Sequence, residues 1–173
     1  MSTITIDVDD PSGIDAAVQS VVQDVINQVA TMDLKGDMEN LIVDLEKQHQ
    51  AMFASERDAD GNPWEPLSRW TVDKKGHDIR LYEFGDLEDS LTSKTGLSIR
   101  SITKSSDGIT LEFGTRHRHS YVNHFGGPSS WGQTIPPRPH VGISEKTLDT
   151  FMNNLADDMV KQLQRGPSRT TTP

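Results

Sequence analysis

At 173 residues, with 33% hydrophobic and 25% charged residues, the chain has the size of one domain with a modest core. The absence of cysteine excludes disulfides, thiolate metal sites and a cysteine nucleophile. A formal net charge of -9 disfavours general binding to nucleic acid, because phosphate affinity rests on Lys and Arg releasing counterions.

Residues 1–9 alternate Ile4, Ile6 and Val8 with Thr3, Thr5 and Asp7, the pattern of a short strand or an N-terminal arm over 1–10. Asp10-Pro11-Ser12 carries helix-start chemistry, and Ile14, Val18, Val21, Val22, Val25, Ile26 and Val29 then draw one helical stripe. A second helix follows from Leu34, Met38, Leu41, Ile42, Leu45, Met52 and Phe53, with Asp33 as its cap. His49 lies on the same stripe, where a histidine reads as a core residue before a ligand. Residues 57–80 have the Asp, Asn, Gly, Pro and Lys content of an extended loop. Trp64, Leu67 and Trp70 within it need burial, on their own domain or on a neighbour.

Leu87 and Leu91 mark a short helix over 85–92, with Asp86 as its cap. Residues 97–104 and 109–113 alternate as two strands, joined by the hairpin turn Ser105-Ser106-Asp107-Gly108. Tyr121, Val122 and Phe125 form a third apolar stretch, closed by Gly126-Gly127-Pro128. The loop over 126–139 holds Trp131, and Pro136, Pro137 and Pro139 set it on an extended path. A last helix over 144–164 carries Leu148, Phe151, Met152, Leu155, Met159 and Leu163, and Gly166-Pro167 stops it. Residues 166–173 read as a disordered tail. The order of elements gives a single α+β domain over 1–165. A small antiparallel sheet packs with two N-terminal helices and a C-terminal helix, and long Pro/Gly-rich loops connect them.

Reactive motifs are scarce. There is no phosphate-binding loop, dinucleotide fingerprint, His-Glu-x-x-His or Gly-x-Ser-x-Gly elbow. The strongest candidate for chemistry is the cluster His117, His119, His124 and His140. Histidines two apart on an extended strand face the same way, so His117 and His119 could grip a metal that His124 completes. Arg116 and Arg118 flank that pair with positive charge, and no carboxylate lies close in sequence to orient the rings. A polar interface strand is the better reading. Asp58, Asp60, Asp86 and Asp89 sit where turns and helix starts recruit Asp, which explains them without acid–base work. No catalytic residue, cofactor site or metal site is expected.

One resemblance runs through the middle of the chain. Phe53 precedes Asp60-Gly61-Asn62-Pro63-Trp64-Glu65-Pro66-Leu67-Ser68, with Thr71, Lys74 and Lys75 behind it. Leu81-Tyr82-Glu83-Phe84-Gly85-Asp86-Leu87 with Ser90-Leu91 follows. Next come Gly114-Thr115, a strand motif Tyr121-Val122-Asn123-His124-Phe125-Gly126, and the turn Pro136-Pro137-Arg138-Pro139-His140-Val141-Gly142. In this order they resemble the tail-completion, or virion morphogenesis, family of Mu-like phages over about residues 40 to 160. Two stretches depart from the pattern: His117 to Ser120 is unusually basic, and Gly127 to Thr134 is an expanded loop.

The resemblance implies a non-enzymatic structural virion protein at the neck or upper tail; short apolar runs and no signal-peptide pattern set the expectation that it is made in the host cytoplasm. It implies a ring of like copies, six by analogy, meeting neighbouring neck and tail proteins. DNA would only pass through the lumen, and neither cofactor nor membrane would be involved. Trp64, Leu67, Trp70, Arg116, Arg118, Trp131 and Arg138 are the residues expected at oligomer or partner contacts, where aromatics and arginines concentrate. Two alternatives stand beside this: a metal-dependent hydrolase built on the His cluster, and a transient tail-assembly chaperone.

Overall fold

The computed structural model describes residues 23–24, 32–105, 108–129 and 132–165. The expected N-terminal strand, nearly all of the first helix, Trp131 and the C-terminal tail lie outside these residues.

The three- and four-residue apolar spacing closes helix α1, Lys35–Ser55, around the buried side chains of Leu41, Leu45, His49, Met52 and Phe53. Asp33 does not cap it in the usual way. Its Oδ1 accepts the Lys35 amide at 3.1 Å, while Leu34 occupies the cap position without a side-chain bond. The helix ends at Glu56, a non-glycine residue at φ 53. That conformation costs about 1–2 kcal/mol. Partners on both sides hold it: the Glu56 carboxylate accepts the Arg80 amide at 2.6 Å and pairs with the Arg80 guanidinium, and its carbonyl accepts the Trp64 amide at 2.9 Å.

Asp58 organises the turn that follows by accepting the amides of Asp60 (3.0 Å) and Asn62 (2.8 Å). This turn delivers Trp64 into the core, edge-on to Phe53 at 5.3 Å between ring centres. Met52, Phe53, Trp64, Leu87 and Leu91 form that core, with Ala59, Leu81, Phe113 and Val141 packed against it.

The segment expected as an extended loop contains helix α2, Arg69–Lys75. Ser68 caps it by accepting the Thr71 amide at 3.2 Å, and Gly76 at φ 78 ends it by donating to Val72 O. None of its residues is buried, so no apolar stripe announces it. Helix α3, Asp86–Thr92, forms where it was expected and buries Leu87, Ser90 and Leu91. Gly85 at φ 89 takes its cap position, and Asp86 lies instead in the first turn with Glu88 and Asp89, where the helix dipole favours acids.

Strands β1, Ser98–Ser105, and β2, Gly108–Thr115, pair antiparallel from Ser98 against Thr115 to Ser105 against Gly108. Beyond them the resemblance led to a third strand at Tyr121–Gly126, and the structure has helix α4, Ser120–Phe125. The chain leaves the sheet because Thr115 Oγ1 accepts the His117 amide (3.0 Å) and His117 O accepts the Ser120 amide (2.9 Å), which turns it into a helical path. Strands β3, Gly127–Pro128, and β4, Thr134–Ile135, pair within the expanded loop. Gly126 is required here: at φ 74, an added Cβ would lie 2.9 Å from Ile135 O and 3.0 Å from Pro137 N.

Helix α5, Glu145–Arg165, lies antiparallel to α1. Ser144 Oγ accepts the Thr147 amide at 3.2 Å at its start. Gln48 of α1 holds that end through Gly142 O and the Ser144 amide, both at 2.9 Å. At the other end Gln162 bonds Asp33 O (3.2 Å) and the Asp33 amide (3.3 Å). The architecture is α+β, with small antiparallel sheets.

Candidate partner interface

The residues expected at a partner surface divide sharply. Trp64 is 2% exposed, and its Nε1 donates to Pro139 O at 2.7 Å, so it folds back on its own core with no surface to offer. Arg138 is 5% exposed; its Nε and Nη2 donate to Glu65 O (2.7 Å) and Pro66 O (2.8 Å). These bonds staple the proline-rich turn to the Trp64 loop. Burial, and secondarily Arg80, pull the Arg138 pKa below its ordinary value. Both residues therefore do structural work inside the chain. Leu67 is half-buried, while Trp70, Arg116 and Arg118 are exposed.

Trp70 stands on α2 with the Lys74 ammonium 5.1 Å from its ring centre. It borders a cleft of about 610 Å³ that also meets Lys75, Tyr82, Phe84, His117 and Arg138. Lys75 Nζ donates to Tyr82 O at 2.6 Å, and burial lowers its pKa. Phe84, at the rim, is 81% exposed. A second, shallower hollow of about 530 Å³ lies around Arg116, Arg118, Tyr121, His124, Phe125 and Val141.

The histidines do not assemble as expected. Strand β2 ends at Thr115, so His117 and His119 sit on a turn, with rings 5.7 Å apart and the His119 amide pointing at His117 Nδ1 (3.4 Å). His124 turns to His140 instead, at 5.3 Å between ring centres, and its Nδ1 accepts the His140 amide at 3.3 Å. His140 is fully buried. Its Nδ1 faces Arg138 O at 2.9 Å and so carries the proton, leaving Nε2 to accept from the Ser120 hydroxyl at 2.9 Å. Burial, chiefly, drives its pKa down to about 4, against the smaller pull of the carbonyl. Burial also lowers the pKa of His117 and His124. His124 and His140 serve as neutral members of a packed polar network, and among the described residues no group of three or more His, Cys, Asp or Glu could hold a metal ion. The metal-hydrolase alternative finds no support here.

Sequence reasoning passed over Tyr121 and Phe125 as surface residues. Tyr121 is 75% and Phe125 64% exposed, one helical turn apart on α4, with rings 5.0 Å from each other. Their four-residue spacing was the available signal, and reading the stretch as a strand concealed it.

A small α+β scaffold with a closed core, aromatic side chains standing outward on short helices and arginines beside them is the build of a protein that meets other proteins. The model of the phage virion morphogenesis family matches residues 14–161, and the chain belongs to that family. Membership gives it a structural or assembly role in a phage particle. No curated protein and no solved structure matches the chain. No helix among the described residues is long and apolar enough to cross a membrane.

Proposed function

We propose that this chain is a non-catalytic subunit of a tailed phage particle that assembles with copies of itself into a ring at the neck, completing the tail for joining to the head. The observation that carries the reading is the family match across residues 14–161. The surface supports self-assembly. Phe84, Tyr121 and Phe125 are each more than half exposed, and α5 buries none of its residues in the single chain. A monomer gains nothing from leaving such side chains in water, whereas subunit contacts draw their energy from burying them.

Two measurements test the proposal together. Native mass determination of the purified full chain is expected to give a closed oligomer of fixed stoichiometry. Peptide mass spectrometry of purified particles is expected to find the chain in constant proportion to the tail proteins. A chain that stays monomeric at every concentration and is missing from finished particles would overturn it. Self-association without incorporation into finished particles would instead mark a transient assembly chaperone.

A further inference from the structure

We propose that the exposed face of α4, with Arg116 and Arg118, docks on the outer face of α5 of a second copy of this chain. The inference rests on the self-assembly reading above and specifies which surfaces meet.

Each face exposes apolar side chains and, beside them, charges opposite in sign to those of the other. On the first, Tyr121 and Phe125 present two adjoining rings one helical turn apart. Arg116 and Arg118 lie beside them, and neither takes part in any of the ion pairs Lys35–Glu39, Lys47–Asp44, Arg80–Glu56 and Arg100–Glu46. On the second, Leu148 (43% exposed) and Met152 (53% exposed) stand on α5, again one turn apart. Helical geometry sets Glu145 and Asp149 in a parallel row beside them. These two acids are exposed and also absent from those ion pairs.

The two faces therefore match in spacing and in charge. An aromatic pair meets an aliphatic pair at the same one-turn interval, and two arginines meet two carboxylates at the same edge. Exposed ion pairs contribute little to affinity, so the rings and the aliphatic side chains must supply most of it. The charges fix which face is chosen and in which direction, and they discriminate against the many other acidic surfaces of a chain with net charge -9. A contact between unlike faces leaves each copy free to bind a further copy, the geometry from which rings are built.

Charge reversal tests it on the full-length protein. Arg116→Glu with Arg118→Glu, and separately Glu145→Arg with Asp149→Arg, are each expected to weaken self-association at least tenfold in sedimentation velocity. Circular dichroism should show each variant folded as the wild type. Mixing the two reversed proteins, or combining all four changes in one chain, is expected to restore association.

Association that ignores the reversals, or fails to return in the combined protein, overturns these surfaces while leaving the self-assembly reading intact. A wild type that never associates overturns that reading itself. Fluorescence anisotropy with a short DNA duplex provides the remaining arm. DNA binding lost in Arg116→Glu/Arg118→Glu, with association unchanged, would assign the arginines to nucleic acid and overturn the proposal. If Glu145→Arg/Asp149→Arg lowered only the melting temperature and left association unchanged, α5 would be covered by the chain's own residues, which also overturns it.

Discussion

The guanidinium of Arg100 reaches from β1 into three other elements. Its Nε donates to Glu46 of α1 at 3.1 Å, Nη1 to Gly114 O of β2 at 3.2 Å, and Nη2 to Ser90 O and Leu91 O of α3 at 3.2 and 3.0 Å. The plane also covers the Phe113 ring at 3.9 Å, and the side chain is only 7% exposed. Cutting it back to alanine leaves a carboxylate and several carbonyls short of partners in a poorly hydrated place. Breaking a buried pair in this way costs about 3–5 kcal/mol. Arg100→Ala is therefore expected to lower the urea midpoint severely. Arg100→Lys should recover little, since an ammonium cannot fork toward α1, α3 and β2 together.

His140 makes a second residue-scale prediction, with a definite sign. Its folded-state pKa of about 4 lies below the roughly 6.5 of an unfolded histidine. Between those values the unfolded chain binds the extra proton and the folded chain does not, so unfolding is favoured by acid. Stability from this group is complete above pH ~6.5 and is lost as pH falls toward 4, by on the order of 3 kcal/mol at most. His49 adds to the trend: it is fully buried, its Nδ1 is held by Leu45 O at 2.7 Å, and burial lowers its pKa. Urea titrations at pH 7 and pH 5.5 should show the loss, and His140→Gln should flatten the pH dependence. An unchanged slope in that variant would place the proton uptake elsewhere.

At the scale of elements, what a segment buries decides how well it could be read from the sequence. Helices α1 and α5 carry long apolar periodicities, and their expected limits fall within a residue or two of the observed Lys35–Ser55 and Glu145–Arg165. The β-hairpin was equally plain, since both strands alternate and pair across their whole length. Helix α2 was hidden because nothing in it is buried; only Ser68 and Gly76, its two caps, mark it. Trp64 was legible as needing burial, with its own core and a neighbour both open, whereas Arg138, expected at a partner contact, is internal. Their partners, Pro139 O, Glu65 O and Pro66 O, are backbone carbonyls brought close from about 70 residues away, and no sequence pattern announces them. The candidate interface was half legible. Arg116, Arg118 and Trp70 are on the surface as expected, whereas Tyr121 and Phe125 became visible only once their segment proved helical.

Because α2 depends on its caps, Ser68→Ala should remove about 1 kcal/mol from that helix alone. Hydrogen exchange is expected to quicken over residues 69–75, while the core amides of α1 keep their protection. Loss of protection throughout the molecule would mean that α2 is part of the global unfolding unit.

For the whole molecule, the decisive imbalance lies between a well-closed centre and an underused α5. Met52, Phe53, Trp64, Leu87 and Leu91 are nearly sealed from solvent, yet none of the 21 residues of α5 is buried, and the hydrogen bonds at its two ends run from Gln48 to Gly142 O and the Ser144 amide and from Gln162 to Asp33. If copies of the chain cover that helix, part of the native state's stability belongs to the contact and depends on concentration by mass action. Each tenfold rise in concentration adds up to about 1.4 kcal/mol per mole of contacts formed, which for a chain of this size moves the thermal midpoint by a few degrees. Calorimetric scans at 5 and 50 µM should separate by about that amount for the wild type. Met152→Asp sets a charge on the exposed row, at a side chain already 53% exposed. Its two scans are expected to coincide, at the midpoint of the dissociated protein. Coincident scans for the wild type would show that native chains gain no stability from one another over that range, and would count against self-assembly through any face.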